Sequence, residues 1–341
     1  MARAITHLHV VIFFFTFLFV FEFIASARRL DEATMLERHE QWMAHYGRIY
    51  KDPTEKAARF KIFKKNVEHI DASNAAANKK YKLSANKYAD MTDEEFIASY
   101  TGYKATTKEA ILGSFSYGNL SDVPSTIDWR EKGAVTTIKD QMQCGCCWAF
   151  SAVAALEGIN QMKTGRLVSL SEQELVDCDD QNHGCNGGFM ETAFKYIINN
   201  HGLATEADYP YGGEDGTCDK AKTANPVAAI TSYEQVPMNN EMALLQAVAN
   251  QPVSVAVNGG QGSDFRFYTS GVFMGQCTST YLDHAVTAIG YGTSEDGTKF
   301  WLIKNSWGTE WGENGYMRIQ RDVDAKEGLC GIAMHPSYPK M

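Results

Sequence analysis

The sequence predicts an α+β fold in which a helical half and a strand-rich half follow a helical leading segment. Three observations carry that reading. Residues 148–162 (WAFSAVAALEGINQM) place Ala, Leu and Phe at helical spacing just after a cluster of cysteines, which predicts a helix with Cys147 in its first turn. Further along, the runs Val253–Val257, His284–Tyr291, Phe300–Lys304 and Tyr316–Ile319 are short and apolar or alternating, as strands are. All eight cysteines lie between residues 144 and 330 and none in 28–122, which marks a boundary near Val123. With 341 residues, 44% of them hydrophobic, the chain can bury a sizeable core in two or three domains.

Taken in order, the chain opens with an apolar run at residues 8–21 (LHVVIFFFTFLFVF) behind Arg3. The run is too short to span a bilayer comfortably, and Ala25-Ser26-Ala27 offers a small-x-small cleavage site. Residues 1–27 therefore read as a signal peptide that is removed; a membrane anchor is the weaker alternative, because Glu22 interrupts the run. Entry to the secretory pathway favours disulfides over zinc thiolates for the spaced cysteines. The ending Tyr338-Pro339-Lys340-Met341 has no retrieval signal, so passage beyond the endoplasmic reticulum is expected.

Residues 28–122 hold 16 Lys and Arg against 14 Asp and Glu, a net of +2, whereas residues 123–341 hold 15 against 26, a net of −11. The two parts should attract each other at neutral pH. A first helix is expected over 32–47, where Met35, Leu36, Trp42, Met43 and Tyr46 stand among polar residues. Asp52-Pro53-Thr54-Glu55 starts a second, longer one with Pro near its first position. Along this second helix Glu55, Arg59, Ile62, Phe63, Asn66, Ile70 and Asn74 recur at spacings of three and four and so share a face. Residues 96–122 lose periodicity and gain Gly, Ser and Thr, which suits an extended, cleavable connection. Asn119-Leu120-Ser121 is a glycosylation acceptor within it.

The chemistry concentrates at Gln141-Met142-Gln143-Cys144-Gly145-Cys146-Cys147-Trp148. A thiol at a helix start faces unpaired N–H groups and the positive end of the helix dipole, which favour the thiolate, the nucleophilic form. Structural disulfides are the ordinary use of such cysteines, but the neighbours Cys146 and Cys147 strain to pair with each other, so at least one should stay free. Cys146 reads as a small buried filler more readily than as a redox sensor. A base for the thiol would come from His183, His201, His284 or His335. His183 in a Gly/Asn/Asp loop and His201 beside Gly202 look like surface residues, while His284 opens a strand-like run where a histidine is usually just a hydrogen-bonded core residue.

The polar helix face of residues 55–74 and the shorter Ser84-x-Asn86-x-Tyr88-x-Asp90 resemble the inhibitory propeptide of papain-like cysteine proteases of the cathepsin L type, whose short motif has Gly and Phe in place of Ser84 and Tyr88. From Val123 onward the resemblance covers the rest of the chain through Asp128-Trp129-Arg130, Gln141 to Ser151, Cys185-Asn186-Gly187-Gly188, Asp283-His284-Ala285 and Asn305-Ser306-Trp307-Gly308. Cys146 stands where that family has Ser or Ala, a variant similar to plant enzymes of the senescence-associated group. The resemblance implies a papain-like two-domain fold: a helical half over about 133–232, a β-barrel-like half over about 233–341 with 123–132, and a cleft between them. It implies a self-activating zymogen of a cysteine endopeptidase with residues 28–122 as inhibitory propeptide; any glycan on Asn119 would leave with it.

Within that resemblance Cys147 attacks the scissile carbonyl, His284 pairs with its thiolate, Asn305 orients the imidazole and Gln141 donates to the oxyanion. It pairs Cys144 with Cys185, Cys178 with Cys218 and Cys277 with Cys330. Gly187, Gly188, Asp283 and Trp307 should help bind substrate, Trp307 should also shield the His–Asn hydrogen bond, and Phe189, Met190, Ala256, Leu282, Ala285 and His335 should line the specificity pocket. His335 is the unusual member, since a protonated imidazole below about pH 6.5 would attract a substrate carboxylate. No metal or cofactor is expected. The expected partners are polypeptide substrates, the chain's own propeptide and cystatin-type inhibitors, with neither nucleic acid nor membrane, in a monomer of a vacuole- or lysosome-like compartment or the extracellular space. The rival readings are a thiol-disulfide oxidoreductase using Cys144-x-x-Cys147, which leaves the His284 and Asn305 constellation unexplained, and a catalytically silent storage or binding relative.

Overall fold

The computed structural model describes residues 32–104, 115–118, 122–260, 262, 264–279 and 281–341. The expected signal peptide 1–27 and the acceptor Asn119 lie outside the described residues. The chain divides into two compact units between His69 and Ile70. Residues 70–104 thus belong to the same compact unit as the part that begins near Val123.

The first unit contains helix α1 (32–46) and most of helix α2 (Pro53–Ala75). Asp52 starts α2 as a cap, its carboxylate accepting from the backbone N–H groups of Thr54 and Glu55 at 2.8 and 2.9 Å. An aromatic cluster binds the two helices to each other, with the Phe63 ring 4.9 Å from His39 and 5.2 Å from Trp42.

The second unit runs through strand β1 (Tyr81–Leu83), helix α3 (Asp93–Tyr100), strand β2 (Ile127–Asp128) and helices α4 (Cys147–Thr164), α5 (Glu172–Cys178), α6 (Met190–Asn199) and α7 (Lys220–Thr223). Strand β3 (Ser232–Gln235), helix α8 (Glu241–Val248) and strands β4 (Val253–Val257), β5 (Tyr268–Phe273), β6 (His284–Thr293), β7 (Lys299–Lys304), β8 (Tyr316–Gln320) and β9 (Ser337–Lys340) complete it. Among the described residues the strands form one sheet in the order β1-β5-β8-β7-β6-β4-β9-β3, with β2 beside β6. The path is open, its ends being β1 and β3. The stretch from residue 96 departs from the expected extended connection, being helical as far as Tyr100. The reason is a capping box: the Thr92 hydroxyl accepts from the Glu95 N–H, and the Glu95 carboxylate accepts from the Thr92 N–H.

Two apolar cores lie on either side of the site. One gathers Trp148, Leu156, Leu175, Phe194 and Ile197 of the helical half. The other gathers Val255, Phe265, Trp301, Trp311, Met317 and Tyr338 among the strands. Helix α4 joins them, because Ser151, one turn beyond Cys147, donates its hydroxyl to Val286 O of β6 at 2.7 Å and accepts at its carbonyl from the Ser254 hydroxyl of β4 at 3.0 Å. Lower on the same helix, buried Glu157 accepts from Thr136 Oγ1 at 2.6 Å and faces Lys304, the last residue of β7, at 3.8 Å. These ties fix the helix carrying Cys147 against the strands that carry His284 and lead into Asn305.

Candidate active site

Cys147 is the first residue of α4, with Cys146 at the cap position. Its Sγ accepts from the backbone N–H of Ala285 at 3.4 Å, so the thiol lies against the start of strand β6, beside His284. That register is set where Val257 of β4 pairs with His284 and Ala256 with Ala285. His284 Nε2 lies 2.8 Å from Asn305 Oδ1, and the same oxygen accepts from the Ser306 N–H at 2.8 Å. Because that oxygen can only accept, Nε2 carries the proton, and the neutral ring keeps its lone pair on Nδ1. Nδ1 is buried and has no hydrogen-bond partner. Trp307 stacks on the imidazole with centroids 4.3 Å apart and planes 23° from parallel, which excludes water from the His–Asn bond. Trp301 and Trp311 are buried in the strand-side core.

Gln141 is held at every polar atom. Its N–H donates to Ser306 O at 2.8 Å, its Oε1 accepts from the Ser306 hydroxyl at 2.6 Å, and its Nε2 donates to Cys144 O at 2.8 Å and Tyr100 O at 3.3 Å. Tyr100 also accepts at the same carbonyl from Trp307 Nε1, at 3.1 Å.

Residues 101–104 run through the cleft in extended form, with one bridge from Tyr103 to Gly188. Gly102 and Tyr103 both donate backbone N–H groups to Asp283 O at 2.9 Å, while on the other side Gly188 N–H donates to Gly102 O at 2.8 Å and Lys104 N–H to Gly188 O at 3.0 Å. A side chain on Gly102 would place its first carbon 1.8 Å from Gly145 O, and one on Gly187 would place it 2.5 Å from Gly102 O. Three glycines therefore permit three backbones to meet here. Tyr103 is buried in the same apolar cluster as Cys147, Met190, Ala256 and Ala285, with Phe189 and Leu282 at its margin. Its hydroxyl meets His335 Nδ1, and its ring lies 5.7 Å from Phe189. Gly187, Gly188 and Asp283 thus line the backbone of this segment; of the six expected pocket residues Phe189 and His335 meet its tyrosine, and the other four belong to the same apolar cluster or its margin. His183 and His201 are exposed.

In this covered state the expected thiolate is not present. Burial pushes the Cys147 thiol up to about 12, partly offset by the Ala285 N–H, and the neighbouring Asp283 charge pushes the same way as burial. Burial also brings His284 down to about 4, against the hydrogen bond to Asn305. The helix start is worth at most a couple of kcal/mol to an anion, so complete loss of water outweighs it. Site and sequence expectation are reconciled by solvent: the pair stays neutral while residues 100–104 cover it.

The disulfides join Cys144 to Cys185, Cys178 to Cys218 and Cys277 to Cys330, leaving Cys146 and Cys147 as free thiols, both buried. Cys144 being bonded elsewhere, Cys144-x-x-Cys147 is not a dithiol pair. Among the described residues there is no cluster of metal-ligating side chains. Sequence reasoning missed Tyr100, Gly102, Tyr103, Ser306 and Tyr211; only α3, which delivers the first three to the cleft, left a readable signal, the Thr92-x-x-Glu95 box.

Comparison with known proteins accords with this geometry. Residues 123–340 match the papain family of cysteine proteases, and residues 39–96 match the cathepsin propeptide inhibitor domain. The chain is 53% identical to a senescence-specific cysteine protease of Arabidopsis thaliana, over 98% of this chain and 99% of that one. It is 52% identical to vignain of Vigna mungo, over 91% and 86%. Among solved structures, a recombinant stem bromelain precursor superposes with a TM-score of 0.81 at 46% identity, covering 90% of this chain and 99% of that one. The proform of the ragweed pollen allergen cysteine protease Amb a 11 superposes at 0.83 and 46%, covering 91% and 95%. The chain belongs to the papain family of cysteine proteases, as an endopeptidase acting on polypeptides and made with its own inhibitory propeptide.

Proposed function

We propose that Cys147 is the nucleophile, His284 its base and acid, Asn305 the residue that orients the imidazole, and Gln141 with the Cys147 backbone N–H the pair that holds the oxyanion. The observation that carries this reading is the buried, unpartnered Nδ1 of His284, on a ring whose other nitrogen is committed to Asn305. When residues 100–104 leave and water returns, the Cys147 proton passes to Nδ1. The thiolate then adds to the scissile carbonyl carbon, and the carbonyl oxygen takes the negative charge toward Gln141 Nε2, one of whose hydrogens is released from Tyr100 O. His284 returns the proton to the leaving nitrogen as the C–N bond breaks; water, deprotonated by His284, then cleaves the thioester.

Residues 1–27 act in this reading as signal peptide, 28–122 as propeptide and 123–341 as the peptidase. The pocket of Phe189, Met190, Ala256, Leu282, Ala285 and His335 takes Leu, Val or Phe side chains, a reading supported by Tyr103, which lies against Phe189 and His335. The enzyme works as a monomer in an acidic vacuole- or lysosome-like compartment or outside the cell, under control of its propeptide and of cystatin-type inhibitors. A Cys147→Ala protein, purified alone and acidified, should remain at full length and hydrolyse no fluorogenic peptide. Maturation of that variant on its own, or peptide turnover by it, would overturn the assignment.

A further inference from the structure

Cys146 precedes the nucleophile and is wholly buried, with its Sγ 3.0 Å from the Tyr211 hydroxyl. That hydroxyl in turn donates to Gln141 O at 2.7 Å. A phenol has one hydrogen, and it is spent on Gln141, so the hydrogen between sulfur and oxygen must come from the thiol. Burial pushes both the Cys146 thiol and the Tyr211 phenol up from their ordinary values, so both keep their protons to donate. The Tyr211 ring is fixed edge-on against Phe150 of α4, with centroids 5.0 Å apart. Its own backbone N–H is held by the Glu206 carboxylate at 2.9 Å, and the next N–H, of Gly212, by Gln173 Oε1 at 2.8 Å. The chain Cys146 S–H to Tyr211 O–H to Gln141 C=O therefore begins on the residue before the nucleophile and ends on the backbone of the residue whose amide is aimed at the oxyanion.

We infer that Tyr211 is a positioning residue for the oxyanion hole, and that the Cys146 thiol orients its hydroxyl. This rests on the reading of Gln141 as oxyanion donor. Ser306 holds Gln141 from one side through its carbonyl and hydroxyl; Tyr211 holds the peptide carbonyl on the other. Without Tyr211 the Gln141 peptide can rotate, and the side-chain N–H loses its aim at a charge that exists only in the transition state. A misplaced donor costs less than a deleted one, and deletion costs about 10² to 10³ in rate.

The test uses full chains carrying Tyr211→Phe, Cys146→Ala, Cys146→Ser or Gln141→Ala, each processed by immobilised wild-type enzyme. Tyr211→Phe should lower kcat about tenfold, with KM within a factor of two, and should weaken inhibition by a peptide aldehyde by the same factor as kcat, since the aldehyde adduct carries the oxyanion. Alkylation of Cys147 by iodoacetamide, which forms no oxyanion, should stay within a factor of two of wild type. Cys146→Ala should lose about threefold in kcat, and Cys146→Ser, which keeps a donor, should be restored to near wild type. An unchanged kcat in Tyr211→Phe, or an equal fall in kcat and alkylation rate, would overturn the proposal; if Tyr211→Phe fails to fold, Cys146→Ala showing no loss does the same. A Gln141→Ala enzyme with undiminished kcat would instead sink the underlying reading of Gln141.

Discussion

At the scale of the residue, His284 links latency to pH. Its value in the covered site is about 4, below the ordinary 6.5, because burial disfavours the imidazolium. In a Cys147→Ala protein, where no thiol can supply the proton, the covered state between those two values binds fewer protons than a state with the site open to water. The stability this histidine lends to the covered state is therefore full above pH 6.5 and is lost as pH falls toward 4, at about 1.4 kcal/mol per pH unit. In a Cys147→Ala proenzyme, cleavage of residues 101–104 by an added protease should accelerate roughly tenfold per unit between pH 6.5 and 4.5. In Cys147→Ala with His284→Gln the slope should flatten markedly; an equally steep slope would place the acid trigger elsewhere. The residues proposed for catalysis were singled out in the sequence by the family resemblance, since residue type alone leaves His284 an ordinary core histidine. Their protonation was not legible there, because it depends on which backbone lies over them.

At the scale of the element, residues 101–104 form an extended segment hydrogen-bonded on both edges, to Asp283 on one and to Gly188 on the other. It fits only because Gly102 has no side chain, the nearest atom to an added carbon being a backbone oxygen at 1.8 Å, which no rotamer change can move aside. Overpacking of this kind costs about 1–3 kcal/mol, or roughly one to two decades in an inhibition constant. Added in trans to active enzyme, residues 28–122 carrying Gly102→Ala should inhibit about 10 to 100 times more weakly than the unaltered segment. An unchanged inhibition constant would mean that the fit is not what holds residues 101–104. Nothing in the local sequence marks Gly102 or Tyr103, because their partners are supplied from more than 40 residues away along the chain. The helix α4 and strands β4, β6, β7 and β8 were readable from their apolar pattern. Strands β5 and β9 were not: β5 contains Gly271 with φ of +87°, and β9 contains Pro339, both poor strand formers tolerated because tertiary pairing decides.

At the scale of the whole molecule, the leading segment does more than cover a cleft, because β1 is the outermost strand of the sheet. It pairs antiparallel with β5 from Tyr81 opposite Gly271 to Leu83 opposite Tyr268, and Lys80 O accepts the Val272 N–H at 3.0 Å. Beyond it, β5 pairs in parallel with β8, Val272 with Arg318 and Phe273 with Ile319. Maturation therefore turns an interior strand into a rim: the cut that admits substrate also strips a row of hydrogen bonds from the far margin of the sheet and leaves it open to any extended chain that comes near. Deuterium uptake would register the change. The Val272 amide should exchange slowly in the proenzyme and at least tenfold faster in the processed enzyme, while the Val286 amide in the middle of the sheet keeps its protection in both.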